Sequence, residues 1–286
     1  MKNISIKEVQ YNDKFKIIEF LYNNYPDKLE KSTWEKLFEY KWNPLNKFGY
    51  SLEFENEIIG YFGLIFSKNS IYKDYLTANI NSWYVKPAFR RYSLKLIKEV
   101  IKMNKIFFIS HSTINSILDI YFFFNWKIFE ESYYIFLKSF YKSNKVFNVE
   151  IINNNNPNFK NNINNKIYFD HKEYGCIFLK IYSESEELMI IGKLKKKFLT
   201  YLDIIYISDL EFFNKNAYLF VNKIKLSTNT FFLKIDSRFI KNCKNILKIK
   251  FKFKTYKKIY FCSENIKDLN LASINNIYSE YFLLNT

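Results

Sequence analysis

The chain has 286 residues, 48% of them hydrophobic and 21% aromatic, and a formal net charge of +16. That apolar content excludes wholesale disorder, and the length suits two domains better than one. Three cysteines without a C-x-x-C and two histidines exclude a disulfide framework and a structural zinc site, so no metal is expected. The N-terminus lacks a signal-like apolar core, and no run approaches the ~18 apolar residues of a membrane helix, so the expectation is a soluble, cytoplasmic protein with no membrane insertion.

Residues Ile4–Val9 alternate as a strand. Asp13 opens a helix through Phe15, Ile18, Leu21 and Tyr22 that Pro26 closes, and Thr33 caps a second short helix through Trp34 to Trp42. Tyr50–Phe54 and Ile58–Phe66 flank Glu55-Asn56-Glu57, the pattern of a hairpin. Leu76–Val85 reads as a strand, Ser93–Met103 as an amphipathic helix, and Ile106–Ile109 as a buried strand. Ser112 or Thr113 caps a helix to about Phe124, and Phe129–Leu137 closes the half as a strand.

Nine of the thirteen residues from Asn153 to Asn165 are Asn, which reads as a flexible linker or long surface loop. The division expected is 1–148, a linker at 149–166, and 167–286. The second half continues with a hairpin of Ile177–Tyr182 and Leu188–Leu194, a strand at Leu202–Ile207, and a helix capped by Ser208 and Asp209. Strands follow at Phe231–Ile235 and Ile246–Phe253, then a helix-like stretch within Leu269–Leu283. Its β-β-β-α-β order parallels the middle of the first half and suggests a diverged duplication.

The most informative segment is Trp83 to Lys95, W-Y-V-K-P-A-F-R-R-Y-S-L-K. A strand ends at Val85, a Pro turn follows at Pro87, and Arg90 and Arg91 lead into a helix beginning near Ser93. Helix N-termini present unpaired N–H groups and the positive end of the macrodipole, so with two guanidinium groups beside it this place suits a pyrophosphate.

Two motifs carry a resemblance. Val85, Pro87, Arg90, Ser93 and Lys95 form V-x-P-x-x-R-x-x-S-x-K, and Tyr121 to Trp126 read Y-F-F-F-N-W. With the element order, residues 4–138 resemble the GNAT superfamily of acyl-CoA-dependent N-acyltransferases. The family forms are V-x-P-x-x-[QR]-x-x-G-x-[GA] and Y-x-x-x-G-F. Here Ser93 and Lys95 stand where the family has Gly and a small residue, and Asn125 replaces the later Gly, at a place where Asn tolerates a left-handed backbone.

The resemblance implies an α/β fold with a mixed central sheet flanked by helices, and a second, smaller GNAT-like α+β domain. It implies acetyl-CoA or another acyl-CoA as co-substrate, its pantetheine arm lying between splayed strands 76–85 and 106–111. Backbone groups of Trp83, Tyr84 and Val85 would meet the arm, and Arg90, Arg91, Tyr92, Ser93, Leu94 and Lys95 the pyrophosphate. The acceptor implied is a small-molecule primary amine, with amino sugars preferred.

Three residues are candidates for proton transfer. His111 ends a strand beside the expected cleft, and an imidazole can accept a proton from an ammonium substrate. Tyr121 matches a family position whose hydroxyl protonates the departing thiolate; its alternative is an aromatic core residue. Asn81 lies near the family's Glu base, but an amide takes no proton, which leaves it orienting a water or satisfying a strand bulge. By strict alternation Asn79, Asn81 and Trp83 share one face.

In the second half, His171, Asp203, Ser279 and Glu280 fall in no catalytic spacing and read as scattered surface polarity. The Lys248–Lys254 ladder reads as the solvated side of a strand or a guard against edge pairing. A rival reading, favoured by Ser93, Lys95 and the missing Glu, is a catalytically inactive GNAT-like binding module. Nucleic acid finds no motif support, and a homo-oligomer stays open.

Overall fold

A computed structural model describes residues 4–69, 72–137, 146–153, 156–240, 250–262 and 277–284. The chain divides into two compact units. The first comprises residues 1–129, 257–269 and 278–286; the second comprises 130–256 and 270–277.

In the first unit, β1 (Ile4–Gln10), β2 (Lys47–Phe54), β3 (Glu57–Lys68) and β4 (Leu76–Val85) pair antiparallel in that order. The β2–β3 turn is the two residues Glu55 and Asn56, both at positive φ (50° and 67°), as a tight hairpin following the strand twist requires. β4 then pairs in parallel with β5 (Ile106–Ser110), reached through α3 (Ser93–Ile101). The last strand of this sheet comes from far along the chain: Ile259–Cys262 of β12 (Lys250–Cys262) run antiparallel to β5.

Helices α1 (Lys14–Asn24) and α2 (Lys31–Glu39) bury Ile17, Leu21, Trp34 and Leu37. They serve the sheet face that carries Tyr84, whose ring packs on Phe20 and Tyr25. The other face joins α3 and α4 (Asn115–Phe123): Phe62, Leu64, Ile80, Leu96, Val100 and Leu118 form one cluster. α2 starts two residues before the expected cap. Glu30 is its N-cap, its carbonyl accepting from the Thr33 N–H at 2.9 Å, so Thr33 lies inside the first turn.

The second unit repeats the plan. β8 (Ile177–Tyr182), β9 (Glu187–Lys196) and β10 (Thr200–Ile207) are antiparallel neighbours, with β7 (Asn148–Ile151) on the edge. β10 pairs in parallel with β11 (Phe232–Asp236) after α6 (Leu210–Thr228). Phe213, Ala217, Phe220 and Ile224 of α6 pack on Leu179, Leu202 and Leu233. The strand beside β11 is β6 (Lys127–Phe136), through residues 133–136. Thus the strand that follows α4 in sequence does not close the first sheet, as its position suggested; its place beside β5 is taken by β12.

Parts of the Asn-rich stretch belong to regular structure. β7 precedes it, and α5 (Asn162–His171) begins inside it, capped by Asn161, whose side chain accepts from the Ile163 N–H at 2.8 Å. Asn165 bonds both the N–H and the carbonyl of Phe159. Side-chain amides here do the work that tertiary packing does elsewhere. Residues 246–249 of the Lys ladder lie outside the described residues. At Ile259–Cys262 the strand carrying it is paired with β5.

Candidate active site

The parallel pairing of β4 with β5 lasts four residues, Leu76 to Asn79 against Ile106 to Ile109. β5 ends at Ser110, while β4 continues to Val85 with β3 as its partner. The strands therefore part just after Asn79, between the two stretches that the family resemblance nominated. Asn79 is buried at this fork, and its Nδ2 donates to the Ile109 carbonyl at 3.3 Å.

Asn81 sits at a β-bulge: Ser82 pairs with Gly63 and Ile80 with Leu64, so Asn81 has no cross-strand partner. Its side chain lies over Gly63, where an added Cβ would come within 2.3 Å of Asn81 Oδ1; only glycine leaves that room. The bulge reverses the alternation. Trp83 joins Ile80 on the α3–α4 face rather than Asn79, and its ring is 5.1 Å from Phe62 and 5.9 Å from Tyr121. Asn81 Oδ1 and Ser82 Oγ are shut from solvent and meet no hydrogen-bond partner among the described residues.

Pro87–Tyr92 is a 3-10 turn that runs directly into α3 at Ser93. The helix starts where the sequence placed it, but the basic segment is wound rather than open. The Ser93 N–H is already given to the Arg90 carbonyl, and α3 has no side-chain cap. Arg90, Arg91, Leu94 and Lys95 are exposed, while Tyr92 and Ser93 are half-buried. The Lys95 ammonium lies 5.1 Å from the Tyr92 ring centre and Arg91 lies 4.9 Å from it, so Lys95 is turned outward onto an aromatic face.

Beyond β5 the chain enters a polar, buried corner. Ser110, His111 and Thr113 are buried, and Thr113 Oγ1 donates to Ser110 Oγ at 2.8 Å. Ser112 Oγ donates to Glu280 at 2.9 Å. Both hydroxyls expected to cap α4 are thus engaged elsewhere, and α4 starts at Asn115 after Ile114 with no side-chain cap. Tyr121 is fully buried, its ring stacked 4.6 Å from Trp126. Burial pushes its hydroxyl far above the ordinary phenol value, and Ser110 beside it pulls the other way. Asn125 ends this segment in the left-handed conformation (φ 61°), which lets the Trp126 N–H return to the Tyr121 carbonyl.

The residue missed by sequence reasoning is Glu280. It is only 2% exposed, at the start of α7 (Glu280–Leu283), which packs against α2 and β4. Its N–H donates to Asn79 Oδ1 at 3.2 Å. His111 meets the same segment, its ring centre 6.0 Å from that of Tyr281. Ser279 before an apolar Y-F-L-L run signals a helix start, but no local signal says against which strand that helix docks. Ser279 and His171 are also buried, and Asp203 is ion-paired with Lys234 at 2.7 Å, so none of these four is loose surface polarity.

Among the described residues no helix is long and apolar enough to cross a membrane. No protein-family model and no curated sequence matches the chain. Solved structures do. A Pyrococcus horikoshii protein, provisionally assigned as an acetyltransferase, matches with a TM-score of 0.53 and 12% identity over 95% of this chain and 93% of its own. A GCN5-related N-acetyltransferase from Kribbella flavida matches at 0.56 and 8% identity, over 91% of this chain and 71% of that one. A GCN5-related glucosamine N-acetyltransferase region of a fungal multi-domain enzyme matches at 0.52 and 9% identity, over 91% of this chain and 38% of that one. At such identities the likeness is one of architecture: nearly the whole chain, both units included, carries the fold of the GNAT N-acetyltransferases.

Proposed function

We propose that this chain is an acyl-CoA-dependent N-acyltransferase, moving an acetyl group to a primary amine of a small molecule. The observation that carries the reading is the fork after Asn79, where β4 runs on without β5 beside a basic turn and a helix start. Just past the fork, Asn81 Oδ1, which lies over Gly63 of β3, and Ser82 Oγ are buried with no partner among the described residues, which supports a polar ligand along this stretch of β4. Such atoms carry a desolvation cost until a ligand bonds them. The residues that would hold the co-substrate are Trp83, Tyr84 and Val85 through their backbone, and Arg90, Arg91, Tyr92, Ser93, Leu94 and Lys95 around the diphosphate. The outward turn of Lys95 leaves it as a charge beside the turn, not a plug in it.

Acyl-CoA supplies the activated thioester. An ammonium acceptor must first lose a proton, for which the sequence nominates His111. The nitrogen lone pair then forms the N–C bond, and the C–S bond breaks with its electron pair on sulfur. Tyr121 gives that sulfur a proton, and the second proton of the reacting nitrogen restores Tyr121. Holding both reactants in the fork supplies proximity, and Asn81, which cannot act as a base, orients a water or the substrate. The likeness to a glucosamine N-acetyltransferase region supports an amino sugar as acceptor class.

Calorimetric titration with acetyl-CoA tests the reading, followed by thiol release across a panel of amines. Wild type is expected to bind and turn over. The R90A/R91A double variant is expected to bind about tenfold more weakly, with a smaller loss on added salt. Binding without thiol release would favour the inactive module, and no binding would remove the fork as a co-substrate site.

A further inference from the structure

We propose that Glu280, brought into the first unit by the C-terminal segment, binds the ammonium of the acceptor and takes its proton; this rests on the acyl-transfer reading above. Position is the first argument. The Glu280 N–H is bonded to Asn79 Oδ1 while Asn79 Nδ2 holds the Ile109 carbonyl, so one side chain ties Glu280 to the last β4–β5 pair before the strands part. The second argument is the sheet's two faces. α7 packs with α2 and β4, on the side opposite the α3–α4 cluster that contains Tyr121. Yet the charge of Glu280 acts on the Tyr121 hydroxyl, and on Tyr25 at the end of α1. A base and an acid on opposite faces of a sheet whose strands part at Asn79 is the arrangement an acceptor entering from one side and a thioester from the other would use.

Chemistry separates Glu280 from its neighbours. Asn79 and Asn81 are amides and accept no proton at neutral pH. Ser112 Oγ donates to Glu280 Oε1 at 2.9 Å and holds the carboxylate in place. That carboxylate attracts a cationic amine and accepts one proton from it, which leaves to solvent after turnover. The acceptor class is therefore an amine protonated at neutral pH, not a neutral alcohol or amide. On this proposal the base is Glu280 in place of His111, which packs edge-on against Tyr281 and lines the corner.

The test compares wild type with E280Q, which keeps the side-chain shape and can still accept from Ser112. Acetyl-CoA affinity is expected to stay within about twofold. Thiol release is expected to fall by about 100-fold or more, with loss of the acidic limb of kcat/KM. Calorimetry without acetyl-CoA, using glucosamine and a panel of other primary amines, is expected to show at least tenfold weaker amine binding by E280Q. S112A removes a donor to the carboxylate, so it should move the acidic limb to higher pH even if E280Q folds poorly. E280Q with wild-type turnover and an unchanged acidic limb overturns the proposal while leaving acyl transfer intact, as does a limb that survives E280Q but vanishes in H111A. Failure of every variant, wild type included, to bind acetyl-CoA overturns the acyl-transfer reading itself.

Discussion

The two units share one topology and differ in what surrounds it. Each has an antiparallel run leading to a parallel pair joined by a helix, β4–α3–β5 and β10–α6–β11, with four paired residues in each parallel ladder. Each also has a bulge just beyond that ladder, at Asn81 in one and at Ile205 in the other. The polar atom at the first bulge is the apolar side chain of Ile205 at the second. At the helix starts, α3 is uncapped beside Arg90 and Arg91, whereas α6 is capped by Asp209, whose carboxylate takes the Phe212 N–H at 2.8 Å. A helix that satisfies its own N-terminus with a carboxylate repels phosphate. The bulge and the crossover thus belong to the shared architecture, and the two units differ in the residues around them.

The loops after the second parallel strands sharpen the contrast. β5 ends at Ser110, beside Tyr121, and is followed by His111 and by Ser112, which bonds Glu280. β11 ends at Asp236 and is followed by Ser237 and Arg238, and Arg238 and Asp236 form a buried ion pair at 3.1 Å. If that pair only fills its corner, R238A should cost about 3–5 kcal/mol in urea unfolding, because it strands the Asp236 charge, and acetyl-CoA binding by the folded fraction should be unchanged. A loss below about 1 kcal/mol would end the claim that this corner is structural. In the first unit the matching change should strike rate instead. Y121F keeps the ring on Trp126, so the melting temperature should hold while kcat falls about 100-fold. Unchanged kcat would return Tyr121 to the role of a core aromatic.

The third and smallest effect concerns His171 of the second unit. Its Nδ1 and Nε2 lie 2.8 and 2.7 Å from the carbonyls of Ile167 and Ile277, and burial lowers its pKa from 6.5 to about 4, against those two bonds. The folded ring is thus neutral where the unfolded one takes up a proton. Stability is complete above pH 6.5 and drains as the pH falls toward 4, by at most about 3 kcal/mol. Unfolding titrations across that range should show the slope in wild type and lose it in H171F. A flat wild-type profile would mean that the two carbonyls hold the proton after all.

Much of this was legible in the chain. Leu76–Val85 is bounded as alternation placed it, α3 starts at Ser93, and Asp209 caps α6, because these signals are local: period, proline, and a side chain that reaches its own backbone. Asn125 adopts the positive φ that its place in Y-F-F-F-N-W implied. Trp83 was assigned to the wrong face because a one-residue bulge is silent in a period-two pattern. Ser112 and Thr113 look like caps in the sequence, where nothing shows that Glu280 and Ser110 compete for their hydroxyls.

The sequence by itself determined most of the elements, the basic turn before α3 and the likeness to the GNAT fold, since each depends on residues within a few positions of one another. The tertiary structure alone decided that β12 closes the first sheet, that β6 serves the second, and that Glu280 stands at the fork beside Asn79. Those are pairings across roughly a hundred residues or more, chosen by which buried edge and which polar group remain to be satisfied.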